Sequence, residues 1–334
     1  RGGMFDVICV GSSTVDVFAQ TEFSELVSIR TPKRGKAEKL LAYPVGGKIL
    51  IHELDFTTGG GGTNVAVSLS RLGLHSAYLG CLGEDDNSNL ILRGLRQEHV
   101  DTSFVVRKKG QTGYSIILDS IEHDRTILTY KGVNNELRPK DVKKSALKAR
   151  WFYFSAMMEG SFAVLEELAR FAKKSGIRVA FNPSSYLAEK GAGYLKAVLS
   201  ATTVLVLNKE EAEAIVGKGT VQEASKRMHA LGPEYVVITD GKSGAHCSHD
   251  GTLYFAPTHR VKIIETTGAG DAFASTFLAG LLLGADVAYS LALATTNAES
   301  VITHHGAKNK LLTLREATAI LKRHPVRVRR SKIR

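Results

Sequence analysis

The fold is decided by four short apolar segments: WFYFS at 151–155, RVAFN at 178–182, TVLVL at 203–207 and YVVIT at 235–239. Each contains β-branched or aromatic residues and ends at a polar or small residue, a pattern typical of buried strands. Two segments with helical spacing, 162–174 and 221–231, lie between them, and a glycine that can end a helix follows each one closely. The alternation predicts a doubly wound α/β fold: a mostly parallel sheet with helices on both faces and ligands at the carboxyl ends of the strands.

The same alternation begins near the start of the chain, where FDVICV at 5–10 predicts the first strand. Two regions interrupt it, about 18–57 and 113–130, and the second has the pattern of a β-hairpin. Together these regions predict a small β-sheet that covers the main domain as a lid. Because no internal repeat or low-complexity linker divides the chain, we expect one domain over 4–324, followed by a basic tail at 325–334.

Composition and charge narrow the class of protein. Of the 334 residues, 43% are hydrophobic and 23% are charged, which is ordinary for a globular protein. The net charge is +11, but residues 322–334 supply +7 of it and leave the rest of the chain only mildly basic. A solvated, frayed terminus is therefore favoured over a polyanion-binding arm, and a nucleic-acid partner is not expected.

Hydropathy and cysteine usage indicate a cytoplasmic protein without a membrane partner. The longest apolar stretch, 272–285, is short for a bilayer-spanning helix, and no secretion signal is apparent. Three cysteines, odd in number and far apart, do not form a disulfide framework: Cys9, Cys81 and Cys247.

The segment ETTGAGDAF at 265–273 carries the clearest chemical signal. Gly268, Ala269 and Gly270 let a ligand approach the backbone, and the free amides of a helix start form an anion site. Asp271 lies beside that site, where a carboxylate can accept the proton of a hydroxyl while the amides hold a moving phosphoryl group. Asp271 is therefore the candidate general base, and the alternative is a carboxylate that only caps the helix.

Two common nucleotide motifs are excluded. A P-loop ending at Gly241-Lys242-Ser243 would need glycine at position 236, where the sequence has Val236. A dinucleotide-binding fingerprint starting at Gly268 would need a third glycine where Phe273 stands.

A second glycine-rich segment, GGGGTN at 59–64, precedes another predicted helix. Glycines suit a tight turn whose backbone contacts a polyhydroxylated ligand, and Asn64 supplies both a donor and an acceptor. The alternative is a flexible loop with a polar cap.

These two segments resemble the two signatures of the ribokinase-like (PfkB-type) carbohydrate kinase family. The similarity extends in order over nearly the whole chain and includes GSSTVD at 11–16, NKEE at 208–211, and TDG at 239–241 with Gly244. The combination is specific, although each short piece is not. The resemblance implies a ribokinase-like fold and ATP-dependent phosphorylation of a hydroxyl with Mg²⁺.

Site roles follow from the resemblance residue by residue. It implies that Asp271 is the base and that Gly268, Ala269 and Gly270 form the anion hole. The implied acceptor-binding residues are Asp16, Gly59, Gly60, Asn64 and Glu159. Those implied for ATP are Asn208, Glu211, Thr239, Gly241, Gly244 and Thr295, with Glu211 acting indirectly on Mg²⁺. Thr295 stands where many members have an adenine-contacting Asn or His.

Many members of this family also bind a monovalent cation, K⁺ in particular. The corresponding positions here are Glu265, Thr267, Val301 and Gly306, and Glu265 replaces the usual Asp. For single residues the structural alternatives stay open at this point: Asp16 as a cap of a helix or turn, Asn208 as a helix cap, and Glu211 as a solvated first-turn carboxylate.

The sequence thus predicts a kinase for a sugar or sugar-like molecule, in which lid closure excludes water. A nucleoside kinase is the main alternative, because the same fold and motifs serve both acceptors. The stacking candidates in the lid, Tyr43 and Phe56, are few and favour a sugar. A non-catalytic polyanion-binding protein is a further alternative. The resemblance is also compatible with a homodimer formed through the lid, although the sequence does not determine the oligomeric state.

Overall fold

The computed structural model describes residues 3–21, 25–30, 37–119, 125–304 and 306–333. The strands are β1 Phe5–Val10, β2 Thr14–Gln20, β3 Glu25–Arg30, β4 Ala37–Ala42, β5 Glu53–Gly59, β6 Ser76–Leu79, β7 Cys81–Gly83, β8 Val106–Lys108, β9 Gly113–Asp119, β10 Arg125–Tyr130, β11 Ala149–Phe154, β12 Arg178–Phe181, β13 Val204–Asn208, β14 Tyr235–Thr239, β15 Ala245–His249, β16 Thr252–Ala256 and β17 Arg329–Lys332. The α-helices are α1 Gly61–Arg71, α2 Asp86–Gln97, α3 Phe162–Ser175, α4 Ser184–Ala188, α5 Gly191–Leu199, α6 Lys209–Val216, α7 Val221–His229, α8 Ala269–Leu282, α9 Val287–Val301 and α10 Leu314–Arg323.

The main sheet has the order β17-β16-β15-β14-β13-β12-β11-β1-β6 among the described strands. In this order, all neighbouring strands between β6 and β14 are parallel to each other. Neighbouring strands between β14 and β17 are antiparallel. The four deciding segments of the sequence are the neighbouring strands β11 to β14. The predicted doubly wound, mostly parallel fold is confirmed.

Apolar runs form these strands because both faces of the sheet are covered by helices. In β1, Val7 and Cys9 pack into one buried cluster, which contains residues of α1, α2, α8 and α9. Ile8 and Val10 pack into the other, which contains residues of α3, α5, α6 and α7. A strand buried on both sides has no polar face, so its sequence does not alternate.

A four-stranded sheet of order β10-β9-β2-β5 forms the small sheet of the lid. It differs from the predicted regions, because β2 begins at Thr14 and because β3 and β4 pair with each other in a separate two-stranded sheet. β9 and β10 are the predicted hairpin. Its connection at 120–124 lies outside the described residues, as do 31–36 in the first predicted lid region. Asp16 and Ser115 are directly opposite each other on one face. On the other face Val17 pairs with Phe56 and Ile116, as successive side chains of a strand point to opposite sides.

The C-terminal segment differs from the frayed tail that the charge pattern predicts. Residues Arg329–Lys332 form β17 and pair antiparallel with β16. The guanidinium of Arg329 lies 4.8 Å from the ring centroid of Phe255. The guanidinium of Arg330 lies 5.4 Å from the ring centroid of Tyr254. Backbone pairing and stacking on aromatic rings therefore hold these residues in a strand instead of a frayed end, while the residues themselves remain exposed to solvent, as predicted.

Helices α1 and α8 lie side by side on one face of the main sheet. The hydroxyl of Ser275 in α8 donates to that of Ser68 in α1 over 2.7 Å, and both residues are buried. This contact joins two helices that are separated by about two hundred residues of chain. No helix in the described part of the chain combines the length and apolar character needed to cross a bilayer.

A buried amide joins α8, α9 and the segment before α10. Asn297 Nδ2 donates to Thr276 Oγ1 over 2.7 Å, and Asn297 Oδ1 accepts the Leu312 amide over 2.9 Å. We expect Asn297→Ala to lower the free energy of unfolding by about 2–4 kcal/mol, because it leaves two buried polar groups unpaired. Urea denaturation measures this change. Lys322→Ala, at an exposed position of α10, is the control and should change stability by less than about 0.5 kcal/mol.

Candidate active site

A cavity of about 280 Å³ lies between the main sheet and the lid. Residues that follow β1, β11 and β12 line one side, and lid residues line the other. The polar side chains among its lining residues include Ser12, Asp16, Asn64, Ser115, Thr129, Ser155, Asn182 and Asp271. The cavity is therefore at the carboxyl ends of the parallel strands, where doubly wound folds bind ligands.

Asp271 and Asn64, the central residues of the two glycine-rich segments, are in direct contact. Asn64 Nδ2 donates to Asp271 Oδ2 over 2.9 Å. Asp271 lies in the first turn of α8, and Asn64 in the first turn of α1. The two predicted motifs thus form one site.

Burial raises the pKa of Asp271 from 3.8 to about 6. The hydrogen bond from Asn64 and the positive charge of Lys308 lower it, and the negative charge of Glu211 raises it. The carboxylate is consequently ionised at neutral pH, yet basic enough to accept a proton.

The turn before Asp271 is open on its ligand side. Gly268 is the N-cap of α8 with φ +79°, and a Cβ there would lie 2.7 Å from the Cα of Ala307. A Cβ on Gly270 would meet nothing within 4 Å. The amides of Gly270 and Asp271 have no acceptor among the described residues, whereas the amide of Ala269, part of the predicted anion hole, donates to the Thr266 carbonyl over 3.3 Å. These free donors and the helix dipole suit an anion.

Asp16 lies within β2 and faces the cavity from the lid. Thr14 and Ser115 hydroxyls donate to its carboxylate, and burial raises its pKa. A Cβ on Gly59 would lie 1.9 Å from Asp16 Oδ2, so the neighbouring strand needs glycine at that point. Because Asp16 is inside a strand, its alternative role as a cap of a helix or turn is wrong.

Three buried polar atoms of cavity-lining residues have no hydrogen-bond partner within the described ranges: Asn64 Oδ1, Ser155 Oγ and Thr267 Oγ1. Buried polar groups are normally paired, and an unpaired one costs about 1–3 kcal/mol. A ligand with several hydroxyl groups would satisfy them.

Asn208 and Glu211 cap the start of α6 reciprocally. Asn208 Oδ1 accepts the Glu211 amide over 2.8 Å, and Glu211 Oε2 accepts the Asn208 amide over 2.9 Å. The alternative of a helix cap is thus correct for Asn208. Glu211 is buried rather than solvated, and burial raises its pKa. Its Oε1 makes no hydrogen bond within the described part of the chain.

The other nucleotide-side residues lie near Asn208, with one exception. Thr239 ends β14 directly opposite Asn208 in the register. Gly244 follows with φ +101°, and a Cβ there would lie 2.3 Å from the carbonyl oxygen of Ala256. Gly241, between them, has φ +47° and open space around it. Thr295 is buried within α9 and donates to the Leu291 carbonyl over 3.0 Å, an arrangement that argues against a contact with adenine.

Glu159 is the other predicted residue that the structure does not bring to the site. It begins a short 3₁₀ helix, Glu159–Ser161, with φ +50°, and its side chain is exposed. It is not among the residues that line the cavity. A carboxylate after a strand is a weak signal, because the path of the loop decides where it points.

Two of the four residues predicted to bind a monovalent cation, Glu265 and Gly306, are in direct contact. Glu265 is buried, and its Oε2 accepts the Gly306 amide over 2.8 Å. Val301 ends α9 and is buried, and Thr267 lines the main cavity. His305, within the predicted loop, lies outside the described residues. Binding of K⁺ here stays a prediction.

Lys308 is a charged residue near the site that sequence reasoning missed. Its Nζ donates to Thr58 Oγ1 over 2.8 Å. Burial lowers its pKa to about 8, while the charges of Asp16 and Asp271, among others, raise it. A lysine in a polar loop gives no sequence signal; packing of the loop at 306–309 against β5 puts it there.

Comparison with known proteins decides the family. Residues 4–314 match the family model for pfkB family carbohydrate kinases. The chain belongs to the PfkB family. A ribokinase of Staphylococcus aureus is 26% identical to this PfkB protein over 94% of the chain and 99% of the relative. The match over residues 4–314 confirms the predicted resemblance. Members of the PfkB family phosphorylate sugars or nucleosides.

Solved structures show the same fold. The ribokinase of Thermotoga maritima matches with a TM-score of 0.80 at 23% identity, covering 96% of this chain and 100% of its own. A nucleoside kinase of Methanocaldococcus jannaschii matches with a TM-score of 0.77 at 21% identity, covering 97% and 100%. A sugar kinase and a nucleoside kinase resemble this PfkB chain almost equally, so the fold does not identify the acceptor.

The raised pKa of Asp271 predicts a pH-dependent stability change. Protonated Asp271 is favoured in the folded state, so its contribution is fully present below about pH 4 and is lost as the pH rises through about 6. Asp271→Asn stays neutral at every pH. We expect it to be more stable than the wild type by about 1–3 kcal/mol at pH 8 and nearly equal at pH 4. Urea denaturation at both values measures the difference, and Asp55→Asn, at an exposed lid position, is the control. An equal difference at both values would contradict the assignment.

Proposed function

We propose that this protein is an ATP-dependent kinase that transfers a phosphoryl group to a hydroxyl of a sugar or sugar-like molecule, with Asp271 as general base. The observation that carries the proposal is the Asn64–Asp271 hydrogen bond, which lies beside the open first turn of α8 and within a polar cavity. A base, free amide donors and unpaired hydroxyl-binding atoms in one cavity are what phosphoryl transfer to an alcohol needs.

In the proposed reaction, the base, the amides of the first turn of α8 and the acceptor-binding residues each have one role. Asp271 accepts the hydroxyl proton as the acceptor oxygen bonds to the γ-phosphorus, and the bond from that phosphorus to the leaving ADP oxygen breaks. The amides of Gly270 and Asp271 stabilise the charge on the transferred phosphoryl group. Asp16, Gly59, Gly60 and Asn64 hold the acceptor, and Asn64 also orients Asp271.

The donor side would be formed by Asn208, Glu211, Thr239, Gly241 and Gly244, which the proposal assigns to ATP and its magnesium. Within the described residues no three His, Cys, Asp or Glu side chains form a metal cage. The unpaired Oε1 of buried Glu211 fits a magnesium ion held mainly by phosphates and water. When bound, Mg²⁺ neutralises phosphate charge.

A sugar is favoured over a nucleoside as acceptor. The cavity of about 280 Å³ is at the lower end of small-molecule pockets. Phe56, one of the two stacking candidates, lies on the lid face opposite Asp16, because it pairs with Val17. Tyr186 is the single aromatic residue among those that line the described cavity, so few rings are available there to stack on a nucleobase.

An ADP-release screen over pentoses, hexoses, sugar acids, phosphorylated sugars and nucleosides tests the proposed function. We expect acceptor-dependent ADP release with at least one sugar or sugar derivative, well above the rate of ATP hydrolysis without acceptor. Release only with nucleosides would favour the alternative acceptor class, and no release with any acceptor would contradict the proposal.

Replacing the base separates catalysis from binding. Asp271→Asn should lower kcat by about 10²–10⁴-fold, because the amide cannot accept the hydroxyl proton. ATP affinity, measured by calorimetry, should change by less than about threefold, since the first-turn amides remain. Asp55→Asn is again the control. Near-normal turnover of Asp271→Asn would refute the assignment.

We also propose that two copies pair through the outer face of the lid. Leu54, Phe56, Leu128 and Tyr130 are exposed on that face, each at half or more of its maximal area. Such an apolar patch on a small sheet is typical of a protein interface.

The double variant Phe56→Ser/Leu128→Ser should therefore shift the particle from dimer to monomer in light scattering after gel filtration. Leu283→Ser, at an exposed site on the α8–α9 turn, should leave the mass unchanged. A wild-type monomer at about 50 μM would contradict the lid dimer.

A further inference from the structure

A lysine follows the lid strand β10 and lines the cavity. Lys131 is half-buried, and its Nζ lies 4.6 Å from the ring centroid of Tyr186. It is the basic residue among those that line the described cavity, whose acidic members are Asp16 and Asp271. A positive charge inside a pocket of hydroxyl and amide groups needs a chemical reason, because burial of an ammonium group is unfavourable.

Lys131 is not simply the counter-ion of Asp16. No ion pair or hydrogen bond of its ammonium group occurs among the described residues, and the carboxylate of Asp16 accepts from Thr14 and Ser115 instead. Burial lowers the pKa of Lys131, and the more distant charge of Asp16 only partly offsets this effect. The contact with Tyr186 orients the ammonium group without neutralising it.

The position of this charge differs from that of the base. Lys131 directly follows β10 and so lies on the lid side of the cavity, whereas Asp271 lies in the first turn of α8. Within the lid, Thr129 of β10 is directly opposite Ser115, which is in turn opposite Asp16. Asn135, Asn182 and Ser184 line the same cavity and offer further donors.

We propose that Lys131 binds an anionic group of the acceptor, a carboxylate or a phosphate, at the end remote from the reacting hydroxyl. This inference rests on the proposed function and names the substrate class: a sugar acid or a sugar phosphate. The ammonium group, seated on Tyr186, forms the charge-assisted hydrogen bond that it lacks in the described contacts. A neutral sugar or a nucleoside leaves that half-buried charge unpaired.

The test compares neutral acceptors with their anionic derivatives. ADP release is measured with D-glucose against D-gluconate, with D-fructose against its 1-phosphate and 6-phosphate, and with adenosine. The wild type should show a kcat/KM at least tenfold higher for an anionic compound than for its neutral parent. The gluconate and phosphate arms distinguish a carboxylate from a phosphate.

Substitution of Lys131 then assigns the preference to this side chain. Lys131→Met should raise the KM for the preferred anionic acceptor by about 10–100-fold with kcat changed less than about threefold. The neutral parent should be unaffected, and Lys131→Arg should recover part of the loss. Lys143→Met, at an exposed position, is the matched control. A similar melting temperature of all variants shows that they are folded.

The outcomes separate this inference from the proposed function. If the wild type uses neutral sugars or nucleosides as efficiently as anionic acceptors, or if Lys131→Met leaves the KM of the anionic acceptor unchanged, the inference is overturned and the kinase assignment stays intact. If no acceptor releases ADP, the proposed function fails, and binding decides the inference independently. D-gluconate or the fructose phosphates must then raise the melting temperature of the wild type more than that of Lys131→Met, and equal shifts overturn it.

Discussion

The hydrogen bond between Asn64 and Asp271 is the contact on which the site depends. It links the first turns of α1 and α8, which lie about two hundred residues apart in the chain, at 2.9 Å. One turn further along the same two helices, Ser68 and Ser275 form a second, buried bond. The paired helices therefore hold the base, its orienting amide and the open amides of α8 in one rigid arrangement, as a catalytic geometry requires.

This arrangement is unfavourable for the folded protein by itself. Burial raises the pKa of Asp271, and Asn64 Oδ1, Ser155 Oγ and Thr267 Oγ1 are buried without partners in the described chain. A stable core would pair or remove such groups. Their presence around one cavity is typical of a site that a polar ligand completes, and the large apolar clusters on both faces of the main sheet supply the stability that it lacks.

The lid shows how one strand serves two purposes. Along β2, Asp16 faces the cavity, and Val17 faces the opposite side of the small sheet, next to Phe56 and Ile116. Strand alternation thus separates a polar ligand face from an apolar outer face within consecutive residues. The same geometry removes Phe56 from the cavity and places Lys131, just past β10, at its edge.

The sequence by itself determined the strands β11 to β14, the helices α3 and α7 and the two glycine-rich helix starts, because apolar runs and glycine act within a few residues. It also predicted Asp271 and Asn64 as site residues. Only the tertiary structure decided that Thr295 is buried, that Glu159 turns away, that Arg329 pairs in β17, and that Lys131 and Lys308 enter the site region. Those outcomes depend on contacts between distant segments, and a residue's own neighbours in the sequence carry no information about such packing.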